Sequence, residues 1–178
     1  MSERWVTACH EAGHAVACLM RGGGTFTSVT IERTDEYLGC TFTRLKQWDN
    51  QFVSYAGPWA EARAQWPEDL SVDDLDDEGL GLNDYIAIAL VANPPDRQGY
   101  EEPTGALAIA IRKDLERDRS DEVIRQMDAA RDETWDRGLE SMWPVMLSVA
   151  HMLMDGQVVN EEVVRSLIDE RLSDLREE

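Results

Sequence analysis

The sequence predicts a mainly α protein with one small β-hairpin near its N-terminus. Two observations carry that expectation. From Trp48 onward, apolar residues recur at helical spacing almost to the C-terminus, while only two short runs before it alternate apolar and polar residues. Those two runs are close neighbours with turn residues between them, as a hairpin requires.

The first helix is expected from about Glu3 to Arg21. Ser2 is a suitable N-cap, Glu3 suits the positive end of the helix dipole, and Gly22-Gly23-Gly24 ends the helix. In the hairpin, Val29 and Ile31 share one face of the first strand; Leu38, Cys40 and Phe42 share one face of the second. Thr34-Asp35-Glu36 supplies the turn. A second helix is expected over 49–65, bent at Gly57-Pro58, with a loop from Trp66 to Gly81 after it. A shorter helix from Leu82 to Ala92 stops before Pro94-Pro95, and Asn93 to Pro103 reads as a second loop. Helices then fit Thr104 to Arg119, Ser120 to Arg137, Leu139 to Asp155 and Asn160 to Leu175, with Gly156 as a stop between the last two.

The length of 178 residues suits one domain, 1–178. A net charge of -19 repels phosphate backbones and anionic lipid, so neither nucleic acid nor membrane is an expected partner. No run of apolar residues is long enough to span a bilayer, and Met1 to His10 lacks a signal-peptide pattern. Three cysteines, Cys9, Cys18 and Cys40, show no regular spacing, so a reducing cytoplasmic setting is expected rather than a disulfide framework. Glu68 to Glu78 holds seven acidic residues and reads as a solvated loop; an EF-hand alignment fails because Tyr85 falls where the closing glutamate belongs.

One motif carries chemistry. His10-Glu11-Ala12-Gly13-His14 is H-E-x-x-H within the first expected helix, and it uses two of the chain's three histidines. Residues four apart sit one turn apart on one face, so both imidazoles can converge on one zinc ion. Glu11, between them, is placed to take a proton from a metal-bound water. The small Ala12 and Gly13 let another element approach closely. The motif supplies two ligands where a catalytic zinc site wants three. The extension that would add a histidine needs glycine and histidine where Ala17 and Met20 stand. Cys18 lies too far along a straight helix, and His151 sits in an apolar segment that favours packing. Distant carboxylates remain, and spacing does not choose among them.

His10 to Val16 resembles the opening of the peptidase domain of the FtsH family of ATP-dependent zinc proteases. Further segments follow in that family's order. Ser28-Val29-Thr30-Ile31 and Leu38-Gly39-Cys40-Thr41 resemble its strand pair, and Tyr55-Ala56-Gly57-Pro58-Trp59-Ala60-Glu61 its alanine-glutamate helix. Leu82-Asn83-Asp84-Tyr85-Ile86-Ala87 resembles its asparagine-aspartate segment, and Leu147 to Ile168 its closing helical pair. The resemblance implies a zincin-like helical metallopeptidase domain that cleaves unfolded or flexible polypeptides. It implies zinc held by His10, His14 and Asp84, Glu11 as the catalytic base, and Glu61 as the residue that orients a ligand histidine. It also implies a substrate strand lying along Gly39, Cys40 and Thr41. No Walker-type phosphate loop is present, so the family's ATPase and membrane parts have no counterpart here. A homo-oligomer or a separate ATPase partner is the corresponding expectation. The expectation from another class is a zinc-binding interaction module that keeps the site without proteolysis.

Overall fold

The computed structural model describes residues 1–21, 24–32, 40–44, 49–102 and 106–177. Its elements run α1 (Glu3–Met20), β1 (Thr25–Thr30), β2 (Cys40–Arg44), α2 (Asn50–Gln65), α3 (Leu82–Ala92), α4 (Pro94–Glu101), α5 (Ala106–Asp118), α6 (Asp121–Ser141), α7 (Trp143–Met154) and α8 (Glu161–Glu177). The protein is mainly helical, with one antiparallel strand pair in which Thr30 faces Cys40 and Thr25 faces Arg44. The expected turn at 34–36, and Gly22 and Gly23, lie outside the described residues.

α1 is the central element and packs against α2 and α7. Its cap is the expected one: the Ser2 hydroxyl accepts from the Trp5 N–H at 3.3 Å. Ala8, Ala12, Ala15 and Val16 are fully buried along it, and Trp59, Leu139, Met146 and Val149 fill the core around it. Gly13 decides how close α2 can come. A methyl group there would collide with the carbonyl oxygen of Ala56 and stand 2.8 Å from the Ala60 Cβ, so the two backbones cross at a stripe of small residues. Pro58 lies inside α2, which continues through it.

Two expectations need correction. The segment expected as a loop from Asn93 to Pro103 contains α4, with Pro94 at its start. A proline ends the preceding helix yet fits the first turn of a new one, where its missing N–H would have no helical partner in any case. The break expected after Arg137 falls instead at Met142, because α6 runs on through Gly138 and Pro144 sits in the first turn of α7. The acidic stretch is an ordered loop before α3. One Asp76 oxygen accepts from the Glu78 and Leu80 N–H groups, both at 2.9 Å, and the other accepts from the Tyr85 hydroxyl at 2.7 Å. Among the described residues no helix is long and apolar enough to cross a membrane.

Candidate metal centre

α1 presents His10, Glu11 and His14 towards α2, α4 and the hairpin. His10 and Glu11 are 8% and 5% exposed, so polar groups have been taken into the protein and need partners. The His10 Nδ1 lies 3.0 Å from Glu61 Oε2, and that oxygen also accepts from the Asn93 side-chain amide at 3.0 Å. The His14 Nδ1 lies 2.8 Å from the Val53 carbonyl oxygen. A carboxylate and a carbonyl accept only, so each Nδ1 donates to its partner and each ring turns its Nε2 the other way.

Those two nitrogens meet. The Nε2 atoms of His10 and His14 stand 3.1 Å apart. Asp96 closes the third side, with Oδ2 3.1 Å from His10 Nε2 and Oδ1 3.4 Å from His14 Nε2. Among the described residues, His10, His14 and Asp96 are the one group of three ligand-type side chains that converge in this way. Ligands on a tetrahedral zinc at ~2.0–2.1 Å per bond are themselves separated by roughly 3.3–3.4 Å. The observed separations are close to that geometry.

The electrostatics ask for positive charge. Burial by itself would lower the His10 pKa, but hydrogen bonds to Asp96 and Glu61, and the charges of Asp96 and Glu11, raise it to about 10. Burial would raise the Asp96 carboxyl, and the two histidines beside it hold it well below the ordinary carboxylate range. Backbone shape leaves room on the α2 side. A Cβ on Gly57 would run into the His14 Nε2 and stand 2.9 Å from the His10 Nε2, so only glycine leaves the space in front of the rings clear.

Glu11 points to the hairpin side. Its Oε2 accepts from the Thr41 hydroxyl at 2.6 Å, and the same hydroxyl lies 3.1 Å from the Glu11 carbonyl oxygen. β2 is thereby tied to α1 at the motif. Gly39 lies outside the described residues, and of Cys40 only the backbone, paired with Thr30, is described. No third strand pairs with β1 or β2 among the described residues.

Asp84 is not brought to the histidines. It lies in the first turn of α3, and its Oδ2 accepts from the Gly81 N–H at 2.9 Å, closing a capping box. Asp96 stands where the sequence reading expected Asp84. It arrives on α4, which docks on α2 through the Gln51 amide donating to the Tyr100 carbonyl at 2.7 Å. Gly99 allows that approach, since a methyl group there would strike the Ser54 side chain. A signal for α4 was present in Asn93-Pro94-Pro95-Asp96, an asparagine before prolines with an acid in the first turn.

The other candidates lie elsewhere. His151 is exposed and packs at a tilt against Trp5, ring centres 4.7 Å apart. Cys9 is fully buried, and burial pushes its thiol up to about 12, which makes it inert as a nucleophile. No protein-family model matches the chain, and no curated protein matches it either.

Proposed function

We propose that this chain is a zinc metallopeptidase that hydrolyses peptide bonds of unfolded or flexible polypeptides, as its likeness to the FtsH peptidase domain implies. In this reading His10, His14 and Asp96 hold the metal, and Asp96 takes the part that the resemblance gave to Asp84. One observation carries it. Two imidazole Nε2 atoms and a carboxylate converge within 3.1–3.4 Å, close to the separations between the ligands of one tetrahedral zinc ion.

Bound zinc would supply Lewis acidity and a water made acidic near neutral pH. The protein's own groups would do the rest. Glu61 fixes the His10 tautomer and ring plane, and the Val53 carbonyl does the same for His14. Glu11 is the carboxylate of the H-E-x-x-H motif and would accept the proton of the attacking water, then return it to the leaving amine. The Thr41 hydroxyl holds that carboxylate in one rotamer. An extended substrate would lie against the two-stranded sheet by main-chain hydrogen bonding.

The test is hydrolysis of an unfolded protein such as casein by the zinc-loaded chain, with Glu11→Gln as control. Cleavage by the wild type and its loss in a variant that still holds zinc support the proposal. Equal cleavage by both, or zinc binding without cleavage of any peptide, refutes it.

A further inference from the structure

α4 carries Asp96 and has little of its own to hold it in place. It is eight residues long, none of them buried, and it begins with two prolines. Isolated helices shorter than about 12–15 residues are marginal in water, so contacts with neighbours decide where this one sits. A ligand set works only when its members are held to within about 0.5 Å of the productive geometry. Whatever fixes α4 therefore fixes the third member of the candidate centre.

Tyr100 supplies the main anchor. It is the one aromatic side chain of α4 and lies four residues after Asp96, one turn further along the same face. Its ring packs against Tyr55 at 5.3 Å and Trp135 at 6.5 Å between ring centres, and the Arg131 guanidinium stands 5.3 Å from its centre. Its hydroxyl donates to Asp132 at 2.6 Å, a short bond to a charged acceptor. Asp132 is itself ion-paired with Arg131 at 2.9 Å, so the acceptor is fixed on α6. The Tyr100 carbonyl oxygen accepts from the Gln51 amide at 2.7 Å. Elsewhere the ties are weaker or internal. The Asn50 amide reaches the Gly99 carbonyl at 3.4 Å, while Arg97 and Gln98 pair with Glu101 and Glu102 of the same segment. One helical turn is thus fixed at two points, by Asp96 to α1 and by Tyr100 to α6.

We infer that Tyr100 is a positioning residue for metal binding: through its hydrogen bond to Asp132 it holds α4 where Asp96 completes the centre with His10 and His14. The inference rests on the reading of Asp96 as a metal ligand proposed above. It puts part of the control of metal affinity on α6, outside the centre itself.

The test compares zinc affinity, measured by competition with a chelator, in wild type, Tyr100→Phe and Tyr85→Phe, together with the visible absorption of the cobalt-substituted proteins. Tyr100→Phe keeps the ring and removes the donor to Asp132. Tyr85→Phe removes a like bond from α3, that of the Tyr85 hydroxyl to Asp76 at 2.7 Å. Cobalt absorption follows ligand type and geometry, and Asp96→Ala supplies the spectrum of a site without its carboxylate. Tyr100→Phe is expected to bind zinc about tenfold more weakly, the low end of what loss of an outer partner costs. Its cobalt spectrum should move towards that of Asp96→Ala, and Tyr85→Phe should match wild type in both measurements. If Tyr100→Phe does not fold, Asp132→Asn weakens the same clamp from the other side and should act in the same direction. Unchanged zinc affinity, equal weakening by Tyr85→Phe, or weaker binding with an unaltered cobalt spectrum would overturn the inference and leave the ligand assignment standing. A wild type that holds no zinc, or an Asp96→Ala spectrum identical to that of wild type, would remove the ligand assignment and the inference with it.

Discussion

Asp96 reaches His10 from a helix that begins with two prolines, and its Oδ2 comes to 3.1 Å from the His10 Nε2. The two residues are far apart in sequence, and two small contacts bring them together. Gly99 lets α4 close on α2, and Asn93, at the joint between α3 and α4, donates to the same Glu61 oxygen that His10 uses. The carboxylate that would bind the metal and the carboxylate that orients its ligand are thus positioned by one short segment.

Gly57→Ala should remove bound zinc without unfolding the protein. The new methyl group would occupy the space in front of both Nε2 atoms. Within a helix, alanine is favoured over glycine by about 1 kcal/mol, so α2 itself is not weakened by propensity. Metal content together with circular dichroism checks this. A variant that keeps its zinc would show that the ion does not lie between the rings and α2.

Glu61→Gln should weaken zinc affinity by roughly 10–100-fold while leaving the fold intact, as loss of a partner that orients a ligand does elsewhere. The Glu61 side chain is 18% exposed and touches His10 and Asn93, so its effect should be confined to the centre. Competition with a chelator of known affinity measures it, and an unchanged affinity would mean that the His10 ring is held by other contacts.

Thr41→Val keeps the shape of the side chain and removes the donor to Glu11 Oε2. The expected result is a lower kcat for peptide hydrolysis with KM and zinc content nearly unchanged. Glu11→Gln should lower activity by at least ~10²-fold, the usual contribution of a general base. A Thr41→Val effect on KM alone would point to substrate contact rather than to positioning of the base.

Much of the fold was legible in the sequence because its signals are local. Ser2 and the periodic α1, the hairpin pairing, and the stop before Pro94 rest on neighbouring residues. The two errors both concern where a helix starts. Pro94 is read as ending one helix although it also begins the next, and the helix expected from Leu139 begins only at Trp143, with Pro144 in its first turn. Half of the candidate centre was legible for the same reason, since His10 and His14 lie one turn apart. The third member was not. Asp84 and Asp96 each lie in the first turn of a short helix, and their local surroundings do not distinguish them. What separates them is tertiary: Asp84 is held by Gly81, whereas Asp96 is swung onto α1 by the docking of α4 on α2.

Asp136 should make stability depend on pH. Burial raises its carboxyl and the Tyr55 hydrogen bond lowers it; with Asp132 and Glu133 adding to the rise, the folded value reaches about 6, against 3.8 for the free side chain. An acid raised in the folded state keeps its proton more tightly when folded. Its ionisation therefore destabilises the protein above about pH 6, and that cost fades as pH falls from about 6 towards 3.8. Asp136→Asn stays neutral and should unfold at a higher temperature than the wild type near pH 8, with the advantage shrinking near pH 4. Thermal unfolding of both proteins across that range checks it; a constant difference would contradict it.

The most direct test is metal content of the purified protein after zinc loading and dialysis, for wild type, Asp96→Ala and Asp84→Ala. The wild type should hold one zinc per chain and Asp96→Ala should lose most of it. Asp84→Ala should keep its zinc and lose only the ~0.5–2 kcal/mol that a helix cap contributes. Zinc retained by Asp96→Ala and lost by Asp84→Ala, or no zinc in the wild type, would contradict the assignment of His10, His14 and Asp96 as the metal centre.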